Sequence, residues 1–333
     1  MTTLKEIAEL AGVAPSTVSR VLNNAGANCA SEKVRRRIWA AANQLHYQPN
    51  QAARQLRQGN PTRQRCPGLA VVAARFDAPE SDPFFAQLFR SVEQQLFACG
   101  CSLTASLSSS ELLRLPLPEV EGYLLLGRCS PEVLQRLCGC TENIVAVGRN
   151  RTDFQVDEVF CSGKQAASLA MEHLLALGHR RIAYIGSCSY EERFIGYYEA
   201  LLRHSLPLDQ GLVRDTDQTE PSGRAAMSQL LAQGGFSAAL CANDATALGA
   251  LQAMSSCGAE SIAVVGIDNI DAAETVTPAL TTVHIPKEEM GRAAVNLLLD
   301  RLNGGHREHV RMEFPCRLIK RASSPAIGQT IAD

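Results

Sequence analysis

The sequence predicts an α/β protein in two parts, a small helical head on a larger body of parallel sheets. Three observations carry that expectation. Charge is divided unevenly: residues 1–65 hold ten Lys/Arg against three acids, a net +7, whereas the remainder holds 22 basic and 31 acidic residues, a net −9. The head breaks into short helical patterns separated by a tight turn. The body alternates continuous apolar runs with amphipathic helices, as parallel strands covered on both faces do. The 333 residues, 46% hydrophobic and 20% charged, are enough for two or three globular domains.

In the head, LKEIAELA (4–11) places Leu4, Ile7, Ala8 and Ala11 at helical spacing. Gly12-Val13 interrupts it, and Gly there suits a left-handed C-cap. Pro15 fits the first turn of a second helix, where its missing N–H costs nothing. That helix turns Val18, Val21 and Leu22 inward and leaves Ser, Thr and Arg20 outside. Ser31 caps a third helix, EKVRRRIWAAANQLHY, with Val34, Ile38, Ala41, Ala42 and Leu45 facing inward. Three short helices around one tight turn make a helix-turn-helix module, and its +7 charge suits a polyanion. Pro49 closes the unit, 50–58 is a basic, helix-competent segment, and the Gly- and Pro-containing stretch 59–68 reads as a linker.

In the body, strand-like runs lie at 68–74, 122–127, 143–148, 181–186, 237–242 and 261–267. Helical patterns fall at 84–98, 131–138, 164–177, 190–204, 222–233, 244–256 and 287–303. Two parallel sheets fit this length, and ligands in such sheets bind at the carboxyl ends of strands. The expected boundaries are 1–48 for the helix-turn-helix domain, 49–66 for hinge and linker, 67–320 for the body and 321–333 for a flexible tail without a leucine heptad.

Several function classes are disfavoured. MTTLKEIAEL has charges where a secretory h-region would lie, and no apolar run is long enough to span a bilayer, so a cytoplasmic protein is expected. There is no dinucleotide fingerprint, phosphate loop, Gly-x-Ser-x-Gly elbow or His-Glu zinc helix, so an α/β enzyme is the weaker reading. The twelve cysteines include two Cys-Gly-Cys triplets (99–101 and 138–140), but their spacing lacks the paired pattern of structural zinc, and reduced cysteine filling small positions is the plainer account. His306 and His309 sit in a Gly-rich stretch and read as solvated. No metal or cofactor is expected.

The segments LKEIAELAGVAPSTVSRVLN and YQPNQAARQLR resemble the DNA-binding and hinge segment of the LacI/GalR family of bacterial transcriptional regulators. The resemblance continues through DPFF (82–85), LLALGHRRIAYIG (174–186), ERFIGYYEAL (192–201), ANDATALGAL (242–251), VVGIDNI (264–270) and PALTTVHIPKEEMG (278–291), in order and spacing over nearly the whole chain. It implies a body of two α/β lobes like those of periplasmic sugar-binding proteins, with a small effector between them, and a homodimer on pseudo-palindromic operator DNA.

Carried over residue by residue, the resemblance places Pro15, Ser16 and Arg20 against base edges and Thr3, Thr17, Ser19, Asn23 and Ser31 on phosphates. The hinge would insert in the minor groove, with Leu56 as the wedge between central base pairs, Ala53 where paired helices approach, and Asn50 and Arg54 nearby. Ala14 stands where the family commonly has a capping Ser, which puts any borrowed operator sequence in doubt. The implied effector contacts are Phe84, which could stack on a sugar ring or pack in the core, with Arg149, Arg193, Gln218, Asn243 and Asp268. Helix capping is the alternative role for Asn243. After the strand NIVAV, Gly148-Arg149 replaces the family's frequent Asp-Arg, opening room for a different sugar face or an anionic group on Arg149. The short stretch between 101 and 128 resembles regulators of the Ebg type and so suggests a β-galactoside. The expected function is a repressor of carbohydrate-utilisation genes released by a sugar. The rivals are a cytosolic sugar-binding module without DNA function and an α/β enzyme.

Overall fold

A computed structural model describes residues 4–22, 34, 37–38, 41, 67–74, 82–189, 191–259 and 261–329, with the side chains of Leu4, Lys5, Ser19, Arg20 and Leu22 outside that description. The chain divides into two compact units, Met1–Arg65 and Cys66–Asp333.

In the first unit, helices α1 (Leu4–Ala11) and α2 (Pro15–Leu22) flank the expected turn. Gly12 adopts φ +61°, a conformation that penalises any Cβ, and Val13 N–H reaches back to the Ala8 carbonyl at 3.0 Å. Ile7, Ala8, Ala11, Val18, Val21, Ile38 and Ala41 form one small core, with Val13 and Val34 packed on it. Val34, Arg37, Ile38 and Ala41 are helical, on the stretch assigned to a third helix.

The second unit contains two six-stranded sheets. The first lobe is ordered β11-β5-β4-β3-β1-β2, from Gly68–Ala73 (β1), Ser102–Ser108 (β2), Gly122–Leu126 (β3), Ile144–Gly148 (β4), Asp157–Phe160 (β5) and Arg311–Glu313 (β11). The second is ordered β12-β10-β9-β8-β6-β7, from Ile182–Ile185 (β6), Val213–Arg214 (β7), Ala238–Cys241 (β8), Ala263–Asp268 (β9), Thr281–His284 (β10) and Arg317–Ile319 (β12). The pairings are parallel except that β12 runs antiparallel to β10. The central strands are buried on both faces, which is why they read as unbroken apolar runs.

The helices are α3 (Pro83–Ala98), α4 (Ser109–Arg114), α5 (Pro131–Cys138), α6 (Gly163–Ala176), α7 (Glu192–Arg203), α8 (Glu220–Gln233), α9 (Asp244–Cys257), α10 (Ala272–Thr275) and α11 (Lys287–Leu302). Side-chain caps from Asp82, Ser130, Ser162, Thr219 and Asn243 set several starts. Strand β2 was not expected; its residues alternate between exposed and half-buried at a sheet edge, so SLTASLS carries no continuous apolar signal. Helices α8 and α9 approach so closely that a Cβ on Gly249 would stand 2.0 Å from the Glu220 carbonyl oxygen, and one on Gly223 2.2 Å from that of Thr246.

The chain passes between lobes three times: after β5 into α6, after β10 into α11, and from β11 to β12. One expectation is corrected here. The segment from 321 was read as a flexible tail, yet Ser323 is fully buried, its Oγ donating to the Val264 carbonyl (2.7 Å) and accepting from Thr281 N–H (2.8 Å). Ile327 N–H bonds the Leu177 carbonyl at 3.1 Å. Polar side chains here secure the segment through hydrogen bonds to strand backbone, which hydropathy does not register.

Candidate functional site

The carboxyl ends of both sheets converge on the three crossovers, where ligands of open α/β sheets lodge. From the first lobe, Asp82 caps α3 by accepting from Phe84 N–H (2.8 Å) and Phe85 N–H (3.2 Å), fixing both rings beside the strand ends. β4 delivers Gly148 and then Arg149. From the second lobe come Glu191 and Arg193 at the start of α7, Gln218 ahead of α8, Asn243 ahead of α9, and Asp268 closing β9. Asp268 has φ +127°, a strained backbone for a residue with a side chain.

The structure brings Arg149 and Asp268 together across the lobes: Arg149 Nη1 lies 2.6 Å from each Asp268 carboxylate oxygen, with both residues buried. The Arg149 guanidinium also covers the Phe84 ring, 4.2 Å from its centroid. Phe84 is therefore a core residue that supports Arg149, and the ring-stacking role is corrected; Phe85, edge-on to it at 5.0 Å, lines the cleft instead. Burial pushes the Asp268 carboxyl up from its ordinary value, against the pull of Arg149 and Arg193, and nearby Asp82 adds to the rise.

Arg193 is fully buried. Its Nε donates to Glu191 Oε1 at 2.7 Å, Nη1 to the Ala242 carbonyl, and Nη2 to Gln218 Oε1 at 3.0 Å. Burial opposes the Glu191 charge, but the Arg193 guanidinium outweighs it and brings that carboxyl down to about 2. Asn243 takes the capping alternative: its Oδ1 accepts from Thr246 N–H (2.9 Å) and Oγ1 (2.6 Å), and its Nδ2 donates to the Gln218 carbonyl (2.9 Å). It thus orders the loop that carries Gln218.

Below these groups, Asp244 accepts from Ile270 N–H (3.0 Å) and Thr282 Oγ1 (2.5 Å). Burial, with Asp268 close by, pushes its carboxyl up to about 7. The Lys287 ammonium donates to the Asp268, Asn269 and Ile285 carbonyls, and burial lowers its pKa.

A cavity of about 260 Å³ opens between the lobes, lined by Phe85, Gly127, Arg128, Arg149, Asn150, Ser187, Glu191 and Arg193. Further ties cross it: Glu192 N–H donates to Asn150 Oδ1 (3.2 Å) and Arg151 N–H to Glu192 Oε1 (3.3 Å). A larger depression of about 560 Å³ lies on α8 and α9 beside Glu220, Arg224 and Gln252, but it is open and lacks the buried charges of the cleft. Forked cations and carboxylates facing a small cleft suit a compact ligand with several hydrogen-bonding groups. Sequence reasoning identified Arg149, Arg193, Gln218 and Asp268 but missed Phe85, Glu191 and Lys287. Glu191 stands directly before a motif already quoted and Lys287 inside another, and an acid two residues before Arg193 was the available signal.

The candidate nucleic-acid face lies in the head. Pro15 and Ser16 are exposed on the first turn of α2 and Thr17 is half-buried. Ala14, exposed, contributes its carbonyl to Thr17 N–H (2.9 Å) and Val18 N–H (3.2 Å), but has no side chain with which to cap. The side chains of Ser19 and Arg20, and Thr3, Asn23, Ser31, Asn50, Ala53, Arg54 and Leu56 altogether, lie outside the described residues. His306, expected to be solvated, instead bridges Asp157 (2.8 Å) and Asp300 (2.7 Å), where Asp157 also holds buried Arg301. Among the described residues, no group of three or more His, Cys, Asp or Glu is placed to hold a metal ion, and no helix is long and apolar enough to cross a membrane.

Comparison with known proteins adds to this geometry. Residues 3–50 match bacterial regulatory proteins of the lacI family, and residues 171–324 match a periplasmic binding protein-like domain. The HTH-type transcriptional repressor PurR of Erwinia tasmaniensis is 32% identical over 342 residues, with 97% of each chain covered, and that of Photorhabdus laumondii is equally similar. Among solved structures, a complex of the transcriptional regulator CelR with cellobiose is 32% identical, with a TM-score of 0.69 and 97% and 100% of the two chains covered. A lac repressor dimer bound to operator and the anti-inducer ONPF is 26% identical, with a TM-score of 0.68 and 98% and 99% covered.

Proposed function

Because the chain belongs to the LacI family, as a DNA-binding transcriptional repressor with an effector-binding domain and not an enzyme, we propose that a small sugar, bound between the two lobes, releases it from its operator. The observation that carries this reading is the interlobe cleft itself, where Arg149, Arg193 and Asp268 meet at the strand ends. LacI-family regulators bind operator DNA as dimers and respond to small molecules; this chain, acting in the cytoplasm, is read as a homodimer on a pseudo-palindromic site. The cellobiose-bound relative supports a sugar, and the short 101–128 stretch keeps β-galactosides in view.

A sugar hydroxyl is both donor and acceptor, so it can accept from the Arg149 fork while donating to Asp268. Ligand entry thus substitutes for the direct Arg149–Asp268 pair and alters how the lobes are tied. By linkage, a sugar that weakens operator binding must bind more weakly to the DNA-bound repressor, by the same factor.

On DNA, Pro15, Ser16 and Arg20 face base edges in the major groove, with Thr3, Thr17, Ser19, Asn23 and Ser31 on phosphates. In the hinge, Leu56 wedges the minor groove with Asn50, Ala53 and Arg54 around it. Leu56→Ser should then lower specific affinity and leave nonspecific binding nearly unchanged; equal losses for both remove the wedge.

The test is calorimetric titration of the full chain with a sugar panel that includes β-galactosides and cellobiose, followed by mobility shift on DNA upstream of its own coding region. Saturable binding that is lost in Arg193→Ala and that lowers the DNA-bound fraction supports the reading. Binding by no sugar, or binding indifferent to Arg193, overturns it.

A further inference from the structure

Two thiols sit where the lobes join. Cys161 directly follows β5 and opens the first crossover, and Cys316 lies between β11 and β12, inside the third. The sheet places these crossovers side by side: β11 runs parallel to β5 with Glu313 opposite Phe160, and Phe314 N–H continues the ladder to the Phe160 carbonyl at 2.8 Å. Cys161 N–H is held to the Gly148 carbonyl at 3.2 Å. Cys161 is fully buried in the main core, and half-buried Cys316 packs against the same cluster.

We propose that Cys161 and Cys316 form a peroxide-responsive dithiol whose disulfide staples the first and third interlobe crossovers. The division of labour follows from their surroundings. Contact with Cys316, together with burial, pushes Cys161 up, and the same contact draws Cys316 below the ordinary thiol value. Cys316 is partly exposed and within reach of peroxide, so it is the attacking thiol, and the fully buried Cys161 is its resolving partner. Cys316 sulfur displaces hydroxide from hydrogen peroxide and becomes a sulfenic acid. Cys161 sulfur then attacks it, losing its proton as the sulfenic oxygen leaves as water. Two thiols and one peroxide give one disulfide and two waters, with two electrons passing from sulfur to oxygen.

The remaining described cysteines lack this arrangement. Cys99 and Cys101, and Cys138 and Cys140, are separated by a single glycine at helix ends, and a bond within either pair would tie no two elements together. A bond between Cys161 and Cys316 would join separate connections and resist the motion that effector exchange requires. The device is independent of which small molecule occupies the cleft.

The test treats the reduced full-length protein with hydrogen peroxide, alkylates the remaining thiols, and maps peptides by mass spectrometry without reduction. Hydrogen–deuterium exchange of the crossovers is compared before oxidation, after it, and after dithiothreitol. A dominant Cys161–Cys316 linked peptide is expected, with exchange at 161–163 and 314–316 slowed about tenfold, reversed by dithiothreitol and absent in Cys316→Ser. Overoxidation of Cys316 without pairing, its pairing with another cysteine, or a correct link with unchanged exchange overturns the proposal. Wild-type mapping decides the chemistry even if Cys316→Ser fails to fold.

Discussion

Replacing Arg149 with Met keeps much of the side-chain length and removes the charge that spans the cleft. In the wild type, Nη1 stands 2.6 Å from both Asp268 oxygens, and Arg149 and Asp268 are 5% and 2% exposed. Taking one partner from a buried pair costs about 3–5 kcal/mol, chiefly because the other charge is left uncompensated. Here the abandoned Asp268 also faces Asp82 and Asp244, both of which disfavour its ionised form. The lost guanidinium–Phe84 contact adds roughly 0.5–2 kcal/mol. For a unit of this size the pair alone corresponds to a fall in Tm of roughly 6–20 °C. The loss should also depend on pH. Because the folded-state pKa of Asp268 is already raised, removing Arg149 raises it further, and the penalty is small where Asp268 is protonated and grows as pH rises through its folded pKa. Thermal melts of wild type, Arg149→Met, Asp268→Asn and the double variant at pH 5 and pH 8 test this. Arg149→Met should be hurt more at pH 8, and the double variant should recover more than about 1 kcal/mol relative to additivity. A loss below about 1 kcal/mol, equal at both pH values and additive in the double variant, would falsify the view that this pair holds the cleft.

Further expectations follow from other groups. With a folded pKa of about 7 against 3.8, Asp244 contributes stability that is complete below about pH 4 and drains away as pH rises through 7, by about 1.4 kcal/mol for each pH step of one between those values; Asp244→Asn should flatten the decline of Tm between pH 5 and 8, and an unchanged slope would point elsewhere. Gly249→Ala forces a Cβ against the Glu220 carbonyl and should cost about 1–3 kcal/mol by chemical denaturation, whereas a neutral result would mean that α8 and α9 separate freely. In quantitative mobility shifts, Arg20→Ala should lose about 1–3 kcal/mol of specific affinity and relax preference at one operator position; a uniform loss across sequences would make Arg20 a phosphate contact.

How much was legible beforehand differs between levels. The runs at 122–127 and 181–186 and the helical patterns at 131–138 and 244–256 were readable because burial on both faces, or on one helical stripe, imposes a periodicity that survives in one dimension. Strand β2 and the ordered stretch 321–329 were not, since an edge strand and a segment held by Ser323 hydrogen bonds leave no apolar signature. Arg149, Arg193, Gln218 and Asp268 were found through motifs, but which of them pair was not legible, and Glu191, which holds Arg193, was missed.

By itself, then, the sequence determined the helix-turn-helix head, the two-sheet body, the family and the residue types at the cleft, because composition, periodicity and motif are local properties of the chain. Only the tertiary structure decided that Arg149 meets Asp268 from 119 positions away, that Phe84 carries a guanidinium while Phe85 faces the cavity, that Asn243 caps a helix, and that Cys161 and Cys316 lie on neighbouring crossovers. Such pairings depend on how the two sheets are joined by three crossovers, and the energy of a buried charge or thiol is set by neighbours that the linear order does not place beside it.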